Sequence, residues 1–141
     1  MIDVVRGREW GRPIPNGEGD YGPFLEACAG GRLLIQECPQ CGNRQFYPRP
    51  ICTSCGGTPD WLEASGLATL HTFTVVRQFR ARPFGDELPY AVGVVDLDEG
   101  VRMLGNITDV AVDDIHVGIR LVAYGVEFEP GRAVPYWRPA G

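Results

Sequence analysis

The sequence predicts a mainly β protein in which a short N-terminal helix precedes a small cysteine-rich module and a larger β module. Two observations lead to this prediction. Four of the five cysteines fall within residues 38–55 as two Cys-x-x-Cys pairs. From residue 66 onward, segments rich in valine, threonine and aromatic residues alternate with glycine, proline or aspartate turns, which is typical of strands. A chain of 141 residues has room for both modules.

The cysteine pairs predict a metal site. Cys38 and Cys41 form the first pair, Cys52 and Cys55 form the second, and glycine follows each pair directly. Glycine lets the backbone turn back so that its N–H groups point at sulfur. Four such thiolates suit a tetrahedral ion, either zinc or the iron of a rubredoxin-like site. Two disulfides or a thioredoxin-like redox pair are the alternatives, but this spacing favours a metal.

Four thiolate ligands leave no open coordination position, whereas a catalytic zinc usually keeps one. We therefore predict a closed, structural site in a rubredoxin-like zinc ribbon that occupies residues 32–60. Such a site clips a short loop into a defined shape and contributes folding free energy.

The segment before the ribbon is predicted to form an arm and a helix. Residues 1–20 are rich in glycine, proline and charge, so we expect an extended arm, ordered only where it lies on the rest of the protein. Asp20 is a suitable N-cap for a helix within residues 21–31, which Gly30-Gly31 ends. Cys28, the fifth cysteine, is expected to pack in the interior.

Residues 61–141 are assigned to the β module, with residues 58–65 acting as a linker. Five predicted strands, with a helical turn at Val112 to Gly118 before the fourth, fit a small Greek-key barrel of the OB type. A β-sandwich is the main alternative. The predicted strands are Gly66 to Phe79, Tyr90 to Leu97, Val101 to Val110, Ile119 to Phe128, and Ala133 to Trp137.

Composition restricts the function. The net charge of −5 argues against nucleic-acid binding, which depends on basic side chains that neutralise phosphates. All thirteen basic residues are arginine, so Schiff-base chemistry and an amine general base are excluded. The apolar runs are too short to span a membrane, and no signal peptide is evident. Together with metal-type cysteine spacing, this predicts a cytoplasmic protein.

The sequence supports binding better than catalysis. The histidines, His71 and His116, stand in a predicted strand and a predicted turn, and neither belongs to a recognisable catalytic motif. Three segments are candidate binding surfaces. The basic loop with Arg77, Arg80, Arg82 and Phe79 could hold the phosphates and adenine of coenzyme A, could seat an acidic partner surface, or is simply solvated. Tyrosine, tryptophan and arginine are enriched at interface hot spots, which makes candidate partner contacts of Phe46, Tyr47, Arg49, Tyr136, Trp137 and Arg138.

The order of motifs resembles one known family. The chain resembles the zinc-ribbon plus OB-fold proteins called domain of unknown function thirty-five, from about residue 20 to its end. The paired cysteine turns alone are not specific to that family, but their combination with the later motifs is. The motifs are Cys38-x-x-Cys41-Gly42, Pro48-Arg49, Cys52-x-x-Cys55-Gly56, Trp61, Ser65-Gly66, Pro89-Tyr90-Ala91-Val92, Leu104-Gly105-Asn106 and Trp137-Arg138-Pro139.

The resemblance implies an accessory role. Proteins of this family typically assemble with thiolase-fold enzymes or hot-dog-fold hydratases that act on acyl-CoA thioesters, and one branch partners an aldolase in steroid side-chain degradation. The expectation is a non-catalytic subunit of a thiolase-like enzyme that acts on acyl-CoA. A hot-dog-fold enoyl-CoA hydratase is the alternative partner. A rubredoxin-like electron carrier and a single-stranded nucleic-acid-binding OB-fold are the alternative functions.

Overall fold

The five strands predicted for the β module form a closed barrel. The structure is a computed structural model, and it describes residues 1–78 and 88–141. Within these residues a short 3₁₀ turn, Val112–Asp114, precedes the fourth barrel strand, where a helical turn was predicted. The elements in chain order are β1 (Asp3–Val5), α1 (Tyr21–Ala29), β2 (Leu33–Glu37), β3 (Arg44–Gln45), β4 (Asp60–Ala64), β5 (Leu67–Val76), β6 (Tyr90–Leu97), β7 (Arg102–Ile107), β8 (Arg120–Glu129) and β9 (Arg132–Pro139).

The barrel consists of β5 to β9. The strands β5, β6 and β7 form an antiparallel meander, β9 follows β7, and β8 pairs with both β9 and β5 to close the ring. Alternate side chains of each strand point inward, and Leu70, Val95, Leu121 and Trp137 are each at most 1% exposed. This packed interior confirms the predicted OB-type barrel rather than a sandwich.

The seam between β7 and β9 is the weakest part of the closure. These two strands run parallel and pair at a single position, Ile107↔Trp137, among the described residues. By contrast, β6 pairs with β7 from Arg102 to Ile107, and β8 pairs with β9 over nearly its whole length. The barrel wall is therefore split beside the first residues of β7.

The ribbon is a three-stranded antiparallel sheet in the order β3-β2-β4. Its third strand corrects one prediction: residues 58–65 were expected to be a linker, but β4 pairs with all of β2, from Leu33↔Ala64 to Glu37↔Asp60. The ribbon sheet therefore continues to Ala64.

The helix α1 joins the two modules. It spans Tyr21–Ala29, as predicted, and Gly31 follows it with a φ of 82°, a left-handed conformation that favours glycine. The side chains of Phe24, Leu25 and Cys28 are fully buried. Cys28 therefore packs in the interior, as expected, and burial raises the pKa of its thiol to about 12.

The N-terminal arm lies along the barrel. Its strand β1 pairs in parallel with β8, from Asp3↔Tyr124 to Val5↔Val126, beyond the point where β5 leaves that edge. Further along, the Trp10 and Phe128 rings have centroids 5.6 Å apart. The arm was predicted to be ordered only where it lies on the rest of the protein. Strand β1 within it was not predicted. In the part of the chain that the structure describes, no helix is long and apolar enough to cross a membrane.

Candidate metal centre and aromatic cleft

Two equivalent backbone turns present the four cysteines. In the first turn the N–H of Gly42 donates to the carbonyl of Cys38 at 2.8 Å, and in the second the N–H of Gly56 donates to Cys52 at 3.0 Å. Both glycines have a φ of 77°, so a side chain at either position would strain the turn. The glycines that follow the pairs therefore have the role predicted from the sequence.

The turns bring the four sulfur atoms together. All four Sγ atoms lie within 4.8 Å of one another, with Cys38 to Cys55 at 3.5 Å and Cys41 to Cys52 at 3.6 Å. A Zn–S bond of about 2.3 Å in a tetrahedral site places sulfurs nearly 4 Å apart, roughly the observed separation. The four cysteines are therefore positioned to hold one metal ion, which supports a metal site over a redox pair.

The backbone also prepares one sulfur for metal binding. Main-chain N–H groups of Cys55 and Ser54 point at the Cys52 sulfur and lower the pKa of that thiol to about 6. At Cys55, the N–H of Gly57 lowers the pKa, but the other cysteines outweigh it and raise the pKa to about 12. Neighbouring thiols thus resist joint ionisation, and a bound cation is what favours four thiolates together.

Two buried glutamines hold the segment between the cysteine pairs. Gln36 is 4% exposed and Gln45 is 8% exposed, and Nε2 of Gln45 donates to Oε1 of Gln36 at 2.9 Å. Gln36 also binds both main-chain groups of Arg49, at 2.8 and 3.0 Å. Gln45 donates to the carbonyl of Ile51 and accepts from the N–H of Thr53. Sequence reasoning missed this pair; an amide that interrupts the apolar run of β2 was the available signal.

The split between β7 and β9 opens into a depression with a volume of about 290 Å³, which we call the aromatic cleft. Arm, helix, ribbon and barrel all contribute to it. Its walls are Trp10 and Arg12 of the arm, Tyr21 and Phe24 of α1, Phe46 and Tyr47 of the ribbon, Val92 of β6, and residues 103–106 and 134–136 of β7 and β9.

Four aromatic rings of the cleft pack against one another in a row. The centroid distances are 5.3 Å for Tyr21 and Phe24, 5.0 Å for Phe24 and Phe46, and 4.6 Å for Phe46 and Tyr47. On the opposite wall, Arg12 donates to the hydroxyl of Tyr136 at 2.7 Å. Burial, followed by neighbouring Tyr47, raises the pKa of Tyr21 above its usual value. The cleft is thus a largely apolar surface with a basic rim.

The cleft unites three of the six predicted partner contacts, Phe46, Tyr47 and Tyr136. Arg49 stands on the exposed surface of the ribbon, with its main chain held by Gln36. Arg138 lies elsewhere, 2.9 Å from Asp3 and 4.5 Å above the Tyr124 ring.

The position of Trp137 differs from the predicted one. Its side chain was expected on the surface, but it is 0% exposed and packs in the barrel core. The side chain therefore stabilises the barrel interior.

The residues predicted to bind coenzyme A are described only in part. Arg77 is exposed at the end of β5, and its guanidinium lies 3.7 Å from the carboxylate of Asp113. Phe79, Arg80 and Arg82 lie outside the described residues.

The two histidines are placed apart from the cleft. His71 interrupts the register of β5 with β6, and its Nδ1 lies 3.5 Å from a carboxylate oxygen of Asp96. His116 is on the surface, with its Nδ1 3.2 Å from the carbonyl oxygen of Asp114. Neither histidine is among the described residues that line the aromatic cleft.

Comparison with known proteins places both modules in one family. Residues 25–61 match the rubredoxin-like zinc ribbon domain of ChsH2, and residues 61–126 match the C-terminal OB-fold domain of ChsH2. A solved structure titled Ltp2-ChsH2(DUF35) aldolase contains a similar chain. Its TM-score is 0.80 at 34% sequence identity, and the match covers 92% of this chain and 100% of that one.

Two curated relatives carry different names. A probable enoyl-CoA hydratase alpha subunit of Thermomonospora curvata is 34% identical over 131 residues; the match covers 92% of this chain but 40% of that subunit. A DUF35 domain-containing scaffold protein of Methanothermobacter thermautotrophicus is 32% identical over 115 residues, and the match covers 70% of this chain and 86% of the relative. Ribbon, barrel and these similarities agree, and the chain belongs to the DUF35 family of ChsH2-type zinc-ribbon and OB-fold proteins.

Proposed function

We propose that this chain is a non-catalytic subunit of a thiolase-like enzyme that acts on acyl-CoA thioesters. The observation that carries the proposal is the aromatic cleft, an apolar surface built jointly by the arm, helix, ribbon and barrel. An exposed, concave apolar surface with a basic rim is typical of a site where another molecule binds. The similarity to the DUF35 chain of an aldolase assembly supports a thiolase-like partner.

Within this function, the role of the metal site is to stabilise the ribbon. Cys38, Cys41, Cys52 and Cys55 would hold one zinc ion, and a closed thiolate site supplies folding free energy rather than a position for substrate. With the ribbon fixed, Phe46 and Tyr47 stay on the wall of the cleft. The partner then supplies the acid, base and oxyanion groups of the reaction, and this chain orders the complex.

The test is to prepare this chain, the thiolase-like enzyme, and both chains coexpressed. We expect carbon–carbon bond cleavage or formation next to the CoA thioester only in the coexpressed complex, and we expect the chains to co-elute. Full activity of the enzyme alone, or a chain that never co-elutes with it, would contradict the proposal.

A hot-dog-fold enoyl-CoA hydratase is the second candidate partner. The name of the Thermomonospora relative favours it, although this chain spans 40% of that subunit. The same coexpression with a hydratase distinguishes the two candidates, because only the true partner forms a stoichiometric complex. A steroid side chain as the acyl group is part of the proposal, and turnover of steroid CoA esters compared with short acyl-CoA esters tests it.

Coenzyme A binding by the basic loop is also part of the proposal. Each phosphate contact made by Arg77, Arg80 or Arg82 is expected to contribute about 1.5–3 kcal/mol to binding, and Phe79 to contact the adenine. The triple alanine variant of the three arginines should therefore raise the KM of the complex for acyl-CoA. A triple alanine variant of Arg32, Arg44 and Arg102 is the control, because it removes the same charge from surface ion pairs. Equal kinetic constants for the two variants would assign the loop to solvent or to protein contacts.

A further inference from the structure

The four cysteines of the ribbon differ in their access to solvent. Cys38 and Cys52, the first cysteine of each pair, are 1% and 2% exposed. Cys41 and Cys55, the second cysteine of each pair, are exposed. Oxidation of a cysteine depends on its thiolate character and on its exposure to the oxidant. A closed metal site keeps all four sulfurs as thiolates, so exposure decides which of them an oxidant in solution reaches first.

Each exposed sulfur is close to a buried sulfur of the other turn. The Sγ atoms of Cys41 and Cys52 are 3.6 Å apart. Those of Cys55 and Cys38 are 3.5 Å apart. Cysteines that sense oxidants are accessible and often lie next to a second cysteine that forms a disulfide with them. The cluster contains two such pairs, and each pair joins one turn to the other.

Hydrogen bonds hold the buried sulfur of Cys52 in position. The main-chain N–H of Ser54 donates to it at 3.4 Å, and the side-chain amide of Asn43 donates to it at 3.7 Å. The same amide of Asn43 lies 3.4 Å from side-chain oxygens of both Gln45 and Thr53. These contacts come from the protein alone, so they hold the sulfur of Cys52 opposite Cys41 whether or not Cys41 is a ligand.

The fifth cysteine provides an internal comparison. Cys28 is 0% exposed and is not part of the sulfur cluster. Burial raises the pKa of its thiol to about 12, so it is protonated at neutral pH. A protonated, inaccessible thiol is a poor nucleophile. The chain therefore contains one inert cysteine together with four in an arrangement that favours oxidation.

We propose that the ribbon is a reversible, peroxide-sensitive thiol switch, in which each exposed cysteine reacts first and then forms a disulfide with the buried cysteine of the other turn. The two disulfides are Cys41–Cys52 and Cys38–Cys55. Their sulfurs no longer ligate a metal ion, so zinc is released. The inference rests on the zinc site proposed above and is independent of the partner enzyme.

The reaction balances with hydrogen peroxide as the oxidant. The thiolate of Cys41 attacks one peroxide oxygen, the O–O bond breaks, and the leaving hydroxide takes up a proton to become water. Cys41 is then a sulfenic acid, oxidised by two electrons. The thiolate of Cys52 attacks the Cys41 sulfur, the S–O bond breaks, and a second hydroxide leaves and is protonated to water. One peroxide and two protons thus convert two thiolates into one disulfide and two waters, and a second peroxide oxidises Cys55 and Cys38 in the same way.

Disulfide mapping of the zinc-loaded full chain tests the pairing. The protein is treated with hydrogen peroxide, its free thiols are alkylated, and its tryptic peptides are analysed by mass spectrometry while an indicator measures released zinc. Cleavage after Arg44 separates the two cysteine pairs, so disulfides between the turns link two peptides and disulfides within a turn do not. We expect Cys41–Cys52 and Cys38–Cys55 links, zinc release and an alkylated Cys28.

A dithiol reductant with added zinc should then restore one zinc per chain, because reduction regenerates the four thiolates. Disulfides within the turns, namely Cys38–Cys41 and Cys52–Cys55, would overturn the proposal. Retention of zinc under excess peroxide would overturn it too, as would sulfinic or sulfonic acids in place of disulfides.

Histidine substitutions separate oxidation from ligation. The double variant Cys41→His and Cys55→His keeps four ligands of a kind that zinc sites commonly use, but it removes the exposed thiols of the cluster. We expect peroxide to release zinc from it at least about tenfold more slowly than from the wild type. Cys28→Ala is the control and should release zinc at the wild-type rate. Equal rates for the double variant and the wild type would contradict the assignment to the exposed thiols; if the double variant binds no zinc, the wild-type disulfide map decides.

The zinc content before peroxide is added separates the failure of this inference from that of the proposed function. A wild-type chain that binds no zinc would refute the proposed zinc site, and the inference would fail with it. A zinc-loaded chain that resists peroxide would overturn the inference alone. Both results would leave the accessory role standing.

Discussion

The ribbon and the barrel are stabilised by different interactions. Between residues 36 and 57, the buried side chains are two cysteines, Cys38 and Cys52, and two glutamines, Gln36 and Gln45. The barrel interior instead consists of aliphatic and aromatic side chains that are almost completely buried. This part of the ribbon is therefore organised by its sulfur cluster and by amide hydrogen bonds, and the barrel depends on apolar burial.

This difference follows from size. A loop of some twenty residues cannot enclose enough apolar surface to offset the loss of chain entropy, so it needs a metal or another cross-link. Around the cysteine pairs the buried side chains are polar or sulfur-containing, and the apolar side chains of Tyr47 and Ile51 are 49% and 56% exposed. The ribbon thus contributes Phe46 and Tyr47 to the wall of the aromatic cleft.

The largest expected effect is the loss of the metal. Cys52→Ser removes one of four ligands, and structural zinc sites contribute about 10–16 kcal/mol to the folding of small modules. We expect loss of zinc and disorder of the ribbon, with the β signal of the barrel retained in circular dichroism. Elemental analysis of the wild-type protein should give one zinc per chain; iron would overturn the zinc assignment.

Cys28→Ala is the matched cysteine control. Cys28 is fully buried in α1 and is not part of the sulfur cluster, so this variant should retain one zinc per chain. Loss of zinc in Cys28→Ala would show that cysteine replacement acts through general destabilisation and not through ligation.

The second effect is confined to the barrel. Trp137→Ala removes a fully buried indole, and such truncations typically cost about 3–5 kcal/mol of unfolding free energy. We expect a lower midpoint in urea unfolding and an unchanged zinc content. A variant as stable as the wild type would contradict the assignment of Trp137 to the core.

The third effect is a change in the ribbon that leaves the four cysteines in place. Gln45→Ala leaves the carbonyl of Ile51 and the N–H of Thr53 without their partner, at an expected cost of about 1–3 kcal/mol. We expect faster loss of zinc to a chelator, measured by a colorimetric indicator. Gln78→Ala, at an exposed position after β5, is the control and should release zinc at the wild-type rate.

The smallest effect is electrostatic. The hydrogen bond from Arg120 to Asp98 lowers the pKa of that carboxyl, so the ion pair stabilises the folded state at neutral pH. This contribution disappears only as the pH falls through the lowered pKa, below the usual range of an aspartic acid. The melting temperatures of Asp98→Asn and the wild type should therefore differ slightly near neutral pH and converge in acid. A difference that persists at the lowest pH would show that the carboxylate charge is not responsible.

Local patterns predicted most of the elements. The cysteine spacing located the cluster of four sulfur atoms, and β-branched and aromatic runs located the five barrel strands. The end of the helix followed from Gly30-Gly31, whereas Asp20, predicted to cap its start, makes no side-chain capping hydrogen bond. Each of these depends on residues that are close in sequence.

The wrong predictions concern features that depend on contacts between residues distant in sequence. Strand β4 follows Pro59 and a glycine pair, which suggested a linker, but it is stabilised by pairing with β2. Trp137 belongs to a tail rich in interface-type residues, and only the closure of the barrel shows that its side chain points inward. The cleft was not predicted as a unit, because its residues come from four separate parts of the chain.

The pairing of β1 with β8 has a consequence for the order of folding. Residue pairs in the ribbon, such as Gln36↔Gln45, are close in sequence, whereas Asp3↔Tyr124 joins opposite ends of the chain. Contacts of high sequence separation form late, because loop closure costs entropy before the contact forms. We therefore expect the arm to dock after the barrel, so that the wall of the cleft made by Trp10 and Arg12 is completed last. Pulse-labelled exchange should show protection of Val5 after that of Val95; the reverse order would rule this sequence out. A chain whose arm has not docked would therefore lack one wall of the aromatic cleft.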